Sequence, residues 1–576
     1  MDNPMVASLF AWVHSYFHSC PDVLKPCMFY LSIFPAKHSI RWRRLVRRWI
    51  AEGSSDTKDS TAEETAKQLL SQFVEPSIIQ PSVEASSSAK SSFFEATATC
   101  QVNGFFREYI TTRSIEQNLV FALEGHCSLN SQRRGRHLAI GSTWDQDRAL
   151  FDSIDLSRLR SLTAFGKWRS FFVSDKMSLL RVLDLEDASG VTDKDLERMV
   201  RLLPRLKFLS LRGCRTITRL PDSIGGLRQL QALDVRNTAV VALPSDITKL
   251  QKLWYIHAGS TTTTSGDDDA MVASSKTAGE QLTKGSSTPA AAAAASSRQR
   301  DFTCCLSRFL FRSQLQADAG GVVVPRKIGN LSALHTLGVV NINSITGGEL
   351  KKLTQLHKLG VCGVSRANSQ ELCSFVSGHG HLESLSVRLD NKANQDGCLD
   401  GVFPPPDNLR SLKLHGLAGK LPVWIKDLWN LRKLNLQMAM LDQDGVDILG
   451  NLPRLSTLCL CLKTLRQDGE LHFRTDFRGL LVLEIACNSR LKVVEFSTVF
   501  GGGLGTIELL KIHCYNVTSL QFPGLELLRS IKEVYLSGSY GDELKLHLQS
   551  QIAKHEKEIE PVFKEQPNKL GKLRSP

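Results

Sequence analysis

No apolar run in these 576 residues approaches the about 18 that a membrane span requires. The N-terminal Met1-Asp2-Asn3-Pro4 carries no basic residue, and His14 and His18 interrupt the apolar stretch behind it, which excludes a secretory leader. The 14 cysteines include no C-x-x-C pair. Their nearest neighbours, Cys304-Cys305 and Cys459-x-Cys461, have neither zinc spacing nor the density of a disulfide scaffold, so reduced and mostly buried thiols are expected. A phosphate-cradling Gly-x-x-x-x-Gly-Lys-Ser/Thr string is missing; Gly416-Leu417-Ala418-Gly419-Lys420-Leu421 has the wrong spacing and no hydroxyl. No Ser/His/Asp, metal-ligand or paired-carboxylate constellation stands out, so catalysis is the class with least support. Charge of one sign is also scarce. Lys and Arg number 71 against 58 Asp and Glu, and +13 over so long a chain argues only weakly for nucleic acid or an anionic surface.

What is abundant is leucine at fixed intervals. The pattern L-x-x-L-x-L recurs as Leu180-Leu183-Leu185, Leu206-Leu209-Leu211 and Leu230-Leu233-Val235, then loosely as Leu253-Ile256. It resumes at Leu334-Leu337-Val339 and continues through Leu382-Leu385-Val387, Leu409-Leu412-Leu414 and Leu431-Leu434-Leu436 to Ile531-Val534-Leu536. Thirteen copies spaced by 22–27 residues have the period of leucine-rich repeats. Each copy predicts one short strand, and no copy buries its apolar face alone, so neighbours stack into a horseshoe solenoid. Leu220-Pro221, Leu243-Pro244 and Leu421-Pro422 begin the returning convex segments. One interval is 81 residues, from Leu253 to Leu334, and contains Asp267-Asp268-Asp269 and Ala290–Ala295 among many Ser and Gly. Such composition predicts a disordered insert, with a more apolar patch at Phe302–Phe311.

The first hundred residues differ. Leu24–Phe34 is apolar and stopped by Pro35, which predicts a buried helix. Trp42, Leu45, Val46, Trp49 and Ile50 form one helical stripe, while Arg41, Arg43, Arg44, Arg47 and Arg48 fill the other faces. A third helix is expected from Ser60 or Thr61, with Glu63 or Glu64 completing a capping box, and a hairpin should follow. Three helices and a hairpin suggest a winged helix. The fold class expected is therefore α/β, an N-terminal helical winged-helix module followed by a leucine-rich-repeat solenoid.

Cys27-x-x-Tyr30-Leu31-Ser32-x-Phe34-Pro35, followed by Trp49-Ile50-Ala51-Glu52-Gly53, resembles the winged helix of plant intracellular disease resistance proteins. These are the nucleotide-binding (NB-ARC), leucine-rich-repeat receptors of the coiled-coil class, and the repeat array resembles their grass versions. The resemblance implies a cytoplasmic receptor in plant defense, truncated before the P-loop. Its cofactor would be ADP or ATP in the family and none in this chain. It also implies protein partners: a pathogen effector, a host protein that an effector modifies, or a companion receptor domain. A membrane span and a metal are not expected, and nucleic acid is disfavoured. Where the family has His-Asp near the nucleotide, Val102 is followed by Asn103 and Gly104, so the motif is degenerate; the same pair also suits a hairpin turn. A repeat scaffold or ubiquitin-ligase adaptor is the alternative function, and a DNA-binding winged helix the lesser one.

The expected organisation is 1–23 as the remnant of a preceding helical subdomain, 24–125 winged helix and 126–150 linker. Repeats should fill 151–259 and 321–540 around an insert at 260–320, with a C-terminal cap and tail at 541–576. Within each repeat the third, fifth and seventh positions should face the concave side. They give a polar, partly basic column whose partner-binding candidates are Phe208, Arg212, Arg236, Arg388, Lys413, His415, Lys433 and Asn435.

Overall fold

The protein, seen in a computed structural model, is described over residues 4–53, 62–81, 99–116, 119–125, 135–259, 321–390, 397–462, 469–474, 477–497, 506–517, 519–555 and 561–567. The N-terminal part contains α1 (Pro4–Ser19), α2 (Lys25–Leu31), α3 (Trp42–Glu52), α4 (Ala62–Val74) and α5 (Gly104–Glu116). Its small antiparallel sheet is ordered β1 (Ile40–Arg41), β3 (Thr99–Val102), β2 (Ile79–Pro81). The expected stripe on α3 is buried, from Trp42 to Ile50, and packs on Phe34, Leu70 and Phe73. Gly53 ends the helix in the left-handed conformation at φ 86°, donating its N–H to the Ile50 carbonyl, a closure that favours glycine. Val13, Phe17 and Cys20 of α1 lie in the same core, so α1 is part of this unit. The cap expected at Ser60 or Thr61 lies outside the described residues.

The rest is one parallel sheet laid down in sequence order. It opens with β4 (Val120–Leu123), β5 (His137–Ile140), β6 (Ser161–Lys167) and β7 (Val182–Ser189). Next come β8 (Phe208–Ser210), β9 (Ala232–Asp234) and β10 (Tyr255–His257). The middle strands are β11 (Thr336–Asn341), β12 (Lys358–Val364), β13 (Ser384–Leu389), β14 (Ser411–Leu417), β15 (Lys433–Met438) and β16 (Thr457–Leu462). After β17 (Glu470–Phe473), which pairs separately with β19 (Val493–Phe496), the sheet runs through β18 (Val482–Asn488), β20 (Leu509–Val517), β21 (Glu533–Tyr540) and β22 (Val562–Pro567). Each of these neighbouring pairs, from β4–β5 to β21–β22, is parallel.

The register stacks one apolar column through the whole array: Leu183, Leu209, Leu233, Ile256, Leu337, Leu359, Leu385, Leu412, Leu434, Leu458, Leu483, Leu510 and Val534, all buried. Burying each such side chain stabilises by about 1.5–3 kcal/mol relative to exposure, which makes stacking obligatory for a lone repeat. Alternate positions are half-exposed on β13, β15 and β16, as the repeat pattern requires. Short 3-10 turns at Asp222–Gly226, Ser245–Lys249 and Val423–Asp427 make up the convex returns that the Leu-Pro segments predicted. All 11 described cysteines are free thiols, and no helix among the described residues is long and apolar enough to cross a membrane.

Two boundaries need correction. β4 and β5 already belong to the solenoid sheet, so the repeats begin near residue 120 and not at 151, and neither 24–125 nor the linker 126–150 is a unit. At the other end β22 extends the sheet into the segment expected to be cap and tail. The insert 260–320, with the Phe302–Phe311 patch and the Gly501–Gly505 loop, lies outside the described residues. The strands flanking the insert pair directly: Tyr255 meets Thr336, Ile256 meets Leu337, and the His335 N–H donates to the Trp254 carbonyl at 2.9 Å. Replacing residues 262–318 by a linker of about ten Gly and Ser should therefore raise the unfolding free energy by no more than about 1.5 kcal/mol, because loop-closure entropy grows only slowly with length. A second unfolding transition in a urea titration would refute it.

Candidate functional site

Helix α3 lies on the concave side of the first strands, and its arginines meet acids there. Asp184, with 0% of its surface exposed, sits mid-strand on β7. Its Oδ2 accepts from Arg44 Nε at 2.7 Å and from Arg48 Nη1 at 2.8 Å. Arg44 also donates to Asp187 at 2.7 Å and approaches Glu186 at 3.4 Å, while Arg41 pairs with Glu186. Arg48 completes its fork with the Tyr30 hydroxyl at 2.8 Å and Thr163 Oγ1 at 2.6 Å. Burial by itself would weaken the charge on Arg44, but Asp184, Asp187 and Glu186 outweigh it and hold the guanidinium charged. Burial likewise opposes the charge on Asp187, and Arg44 and His38 overcome it, so its carboxyl stays ionised well below the usual range. Several charge-assisted bonds to neighbouring carboxylates let these buried charges persist, although Arg44 Nη2 and Arg41 Nε find no hydrogen-bond partner.

Around this network the contact is apolar. Ala51 of α3 packs with Val182, Phe208, Ala232 and Tyr255, one residue from each of β7 to β10 at the same register position. The Arg47 guanidinium lies 5.0 Å from the Tyr255 ring centre, and the Tyr255 hydroxyl donates to Glu63 at 2.7 Å. Arg181 donates to the Glu52 backbone carbonyl at 2.9 Å, closing the seam at the C-terminal end of α3. Burial raises the Glu52 carboxyl to about 7 against the pull of Arg181, Arg48, Arg160 and Lys207. His137, 3.7 Å away, is kept neutral by burial and by Arg48, Arg160 and Arg136, its pKa pushed down to about 3.

This arrangement redistributes the sequence candidates. Phe208, 4% exposed, is covered by the protein's own winged helix and is no open anchor. Arg236 pairs with Asp234 of its own strand beside α3, and Arg212 is half-buried. Further along, Arg388, Lys413, Lys433 and Asn435 lie half-buried on the concave face of β13 to β15, brought side by side by the register of Arg388 with His415 and Lys413 with Asn435. His415 is a correction: it is buried, its Nδ1 lies 3.0 Å from Gln437 Oε1, and burial together with Arg388 holds its pKa near 4. It is a neutral spacer. Asn103 is also reassigned. Its Oδ1 accepts from the Phe105 and Phe106 N–H groups at 3.0 and 3.3 Å, so it caps α5, and the chain enters a helix where a hairpin turn was the alternative. The basic face of α3 that a DNA-binding reading needs is turned onto solenoid acids. Among the described residues no three His, Cys, Asp or Glu are grouped to hold a metal.

The residues missed from sequence are Asp184, Glu186, Asp187 and Tyr255. A signal existed: Leu183-Asp184-Leu185 puts a carboxylate at an inward-alternating concave position, opposite a helix with five arginines. Val182, Phe208, Ala232 and Tyr255 also repeat an apolar residue at a concave position, the mark of a covered face.

Residues 158–270 and 313–569 match the family described as leucine-rich repeat region, and residues 33–101 match the disease resistance protein winged helix domain. The chain is 27% identical over 546 residues to Disease resistance protein Pik-2 of Oryza sativa subsp. japonica, covering 92% of this chain and 51% of that one. It is 28% identical over 555 residues to Disease resistance protein PIK6-NP of the same rice, covering 92% and 50%. To Disease resistance protein RGA4, also from rice, it is 27% identical over 534 residues, covering 91% and 46%. The chain thus spans about half the length of these curated relatives.

Removing the shared carboxylate should open the seam. Asp184→Asn leaves two buried guanidinium groups without their common anion and is expected to cost about 3–5 kcal/mol in urea unfolding at pH 7. A loss under 1 kcal/mol would mean that water reaches the arginines. Glu52 has the opposite pH sense from Asp187. Its folded pKa is raised, so its contribution is fully present below about pH 4.5 and is lost as pH rises through 7. Glu52→Gln should therefore match wild type near pH 4.5 and exceed it by roughly 3 kcal/mol at pH 8. Equal stability curves would refute the assignment.

Proposed function

Because the chain belongs to the leucine-rich-repeat family and joins its repeats to a disease resistance winged helix, we propose that it is the recognition and regulatory part of a plant innate immune receptor. It acts by binding, without catalysis, in the cytoplasm. The observation that carries this reading is the division of the concave face. Strands β6 to β10 are occupied by α3 through the Arg44–Arg48–Asp184 network and Glu63 of α4 meets Lys358 of β12, whereas β13 to β16 present half-exposed polar and basic side chains. Concave solenoid faces are extended platforms suited to protein partners. One half of the sheet holds the regulatory module, and the other receives a pathogen effector, a host protein altered by one, or a companion receptor domain. A strand-mounted basic column favours an acidic partner surface. The winged helix supports this reading over a generic adaptor, and without a P-loop string the chain itself holds no ADP or ATP.

The test is a binding screen of the purified chain against secreted proteins of grass pathogens. An acidic protein captured by wild type should be lost in the triple variant R388E/K413E/K433E, whose circular dichroism and unfolding midpoint stay native. Lys426→Glu, on the convex side, should keep the partner. Captured proteins that bind the triple variant normally would move recognition away from β13 to β15.

A further inference from the structure

We propose that the concave face of strands β12 to β15 binds a small, multiply phosphorylated anion. The inference rests on the open concave platform described above, not on the immune reading of it. The floor is made of Lys358, Arg388, Lys413 and Lys433, which the register sets on one face of four neighbouring strands. With strands about 4.8 Å apart and same-face positions about 7 Å apart, these four cations fall within roughly 15 Å, the span of one compact polyanion. Arg43, the exposed arginine of α3, stacks 4.4 Å from the Trp42 ring, and its charge adds to the positive field at both Lys358 and Lys413.

Acid is scarce on this face. Glu63 stands 4.0 Å from Lys358, but the same oxygen is 3.1 Å from Lys67 and its other oxygen accepts from Tyr255. Lys413 and Arg388 have no carboxylate within ion-pair distance among the described residues. The consequence is visible in the lysines themselves. Burial, with Arg43, Arg47 and Lys67 outweighing Glu63, brings Lys358 down to about 8. Burial, with Arg43 and Lys433 outweighing Cys459, does the same to Lys413. A protein that needed these positions only for packing would be more stable with neutral residues there. Ser384, Ser386 and Ser411 lie between the cations and add hydroxyl donors. Ammonium groups as point charges, hydroxyls and the Arg388 guanidinium on one face suit phosphate oxygens better than a single carboxylate.

The experiment is calorimetric titration of the purified full chain with inorganic tripolyphosphate at low salt, against sulfate at equal ionic strength. One saturable site is expected, weakened about tenfold or more by Lys413→Met and by Lys358→Met. Lys426→Met on the convex side should leave it unchanged. Without ligand both variants should unfold at or above the wild-type midpoint, because each removes a buried, repelled charge. At pH 8 binding should take up protons, seen as heat that depends on the buffer, because the anion restores full charge to the two lysines. Equal affinity for sulfate, or an unchanged affinity in K413M, would overturn the site. Displacement of tripolyphosphate by poly-glutamate of equal charge at similar concentration would also overturn it, in favour of an acidic protein surface. Either result leaves the partner screen unaffected, since that screen reads capture of a protein and not of a small anion.

Discussion

Two guanidinium groups share one fully buried carboxylate, and the arrangement of the N-terminal half follows from that contact. Arg44 and Arg48 stand one helical turn apart on α3, so both reach Asp184 only if the helix lies along the concave face at β7. That placement puts Ala51 against Val182, Phe208, Ala232 and Tyr255, and brings Glu63 to the Tyr255 hydroxyl. A buried charge cluster adds little net stability compared with a well-packed apolar patch, but it tolerates no displacement, because a slipped helix strands unpaired charge. The apolar contacts supply adhesion and the ionic contacts fix the register of one module on the other.

The concave face consequently changes character along its length. At the register position next to the first core residue, the sequence of side chains is Val182, Phe208, Ala232, Tyr255, Thr336, Lys358, Ser384, Ser411 and Lys433. Apolar residues stop at β10, polar or basic ones follow as far as Thr457 on β16, and Val482 and Leu509 then restore an apolar surface. In the next row Asp184 and Asp234 give way to Ser386 and Lys413. A single backbone geometry therefore carries an acidic, apolar cradle near its start and a basic, hydroxyl-rich one in its middle, and the polarity is set by side chains on a uniform scaffold.

Much of this was legible before any coordinates. The leucine spacing fixes strand positions because a repeat that buries nothing alone must stack, and Leu206-x-x-Leu209-x-Leu211 admits no other period. β4, β5 and β22 escaped because Val120–Leu123, His137–Ile140 and Val562–Pro567 carry strand residues without the flanking Leu that sets the phase. Terminal strands border a different neighbour on one side and are released from the repeat pattern. The five arginines of α3 fill the faces that its apolar stripe leaves, and what those faces meet is decided by the acids of β7. Those acids sit about 140 residues away in sequence, and Leu183–Asp187 also imitates a strand ending in catalytic acids. Phe208 and His415 were misjudged for one reason. Strand periodicity says which way a side chain points, but not what the rest of the chain brings to cover it.

The direct pairing of Tyr255 with Thr336 has a corollary. That junction falls where the cradle for α3 ends and the basic platform begins, and parallel repeats bond only to their immediate neighbours. Changes in repeats beyond β10 leave the contact that positions the winged helix untouched. Holding the winged helix and presenting the basic platform thus fall to separate stretches of the chain, with a seam between them that accepts a long insertion without breaking the pairing of the sheet.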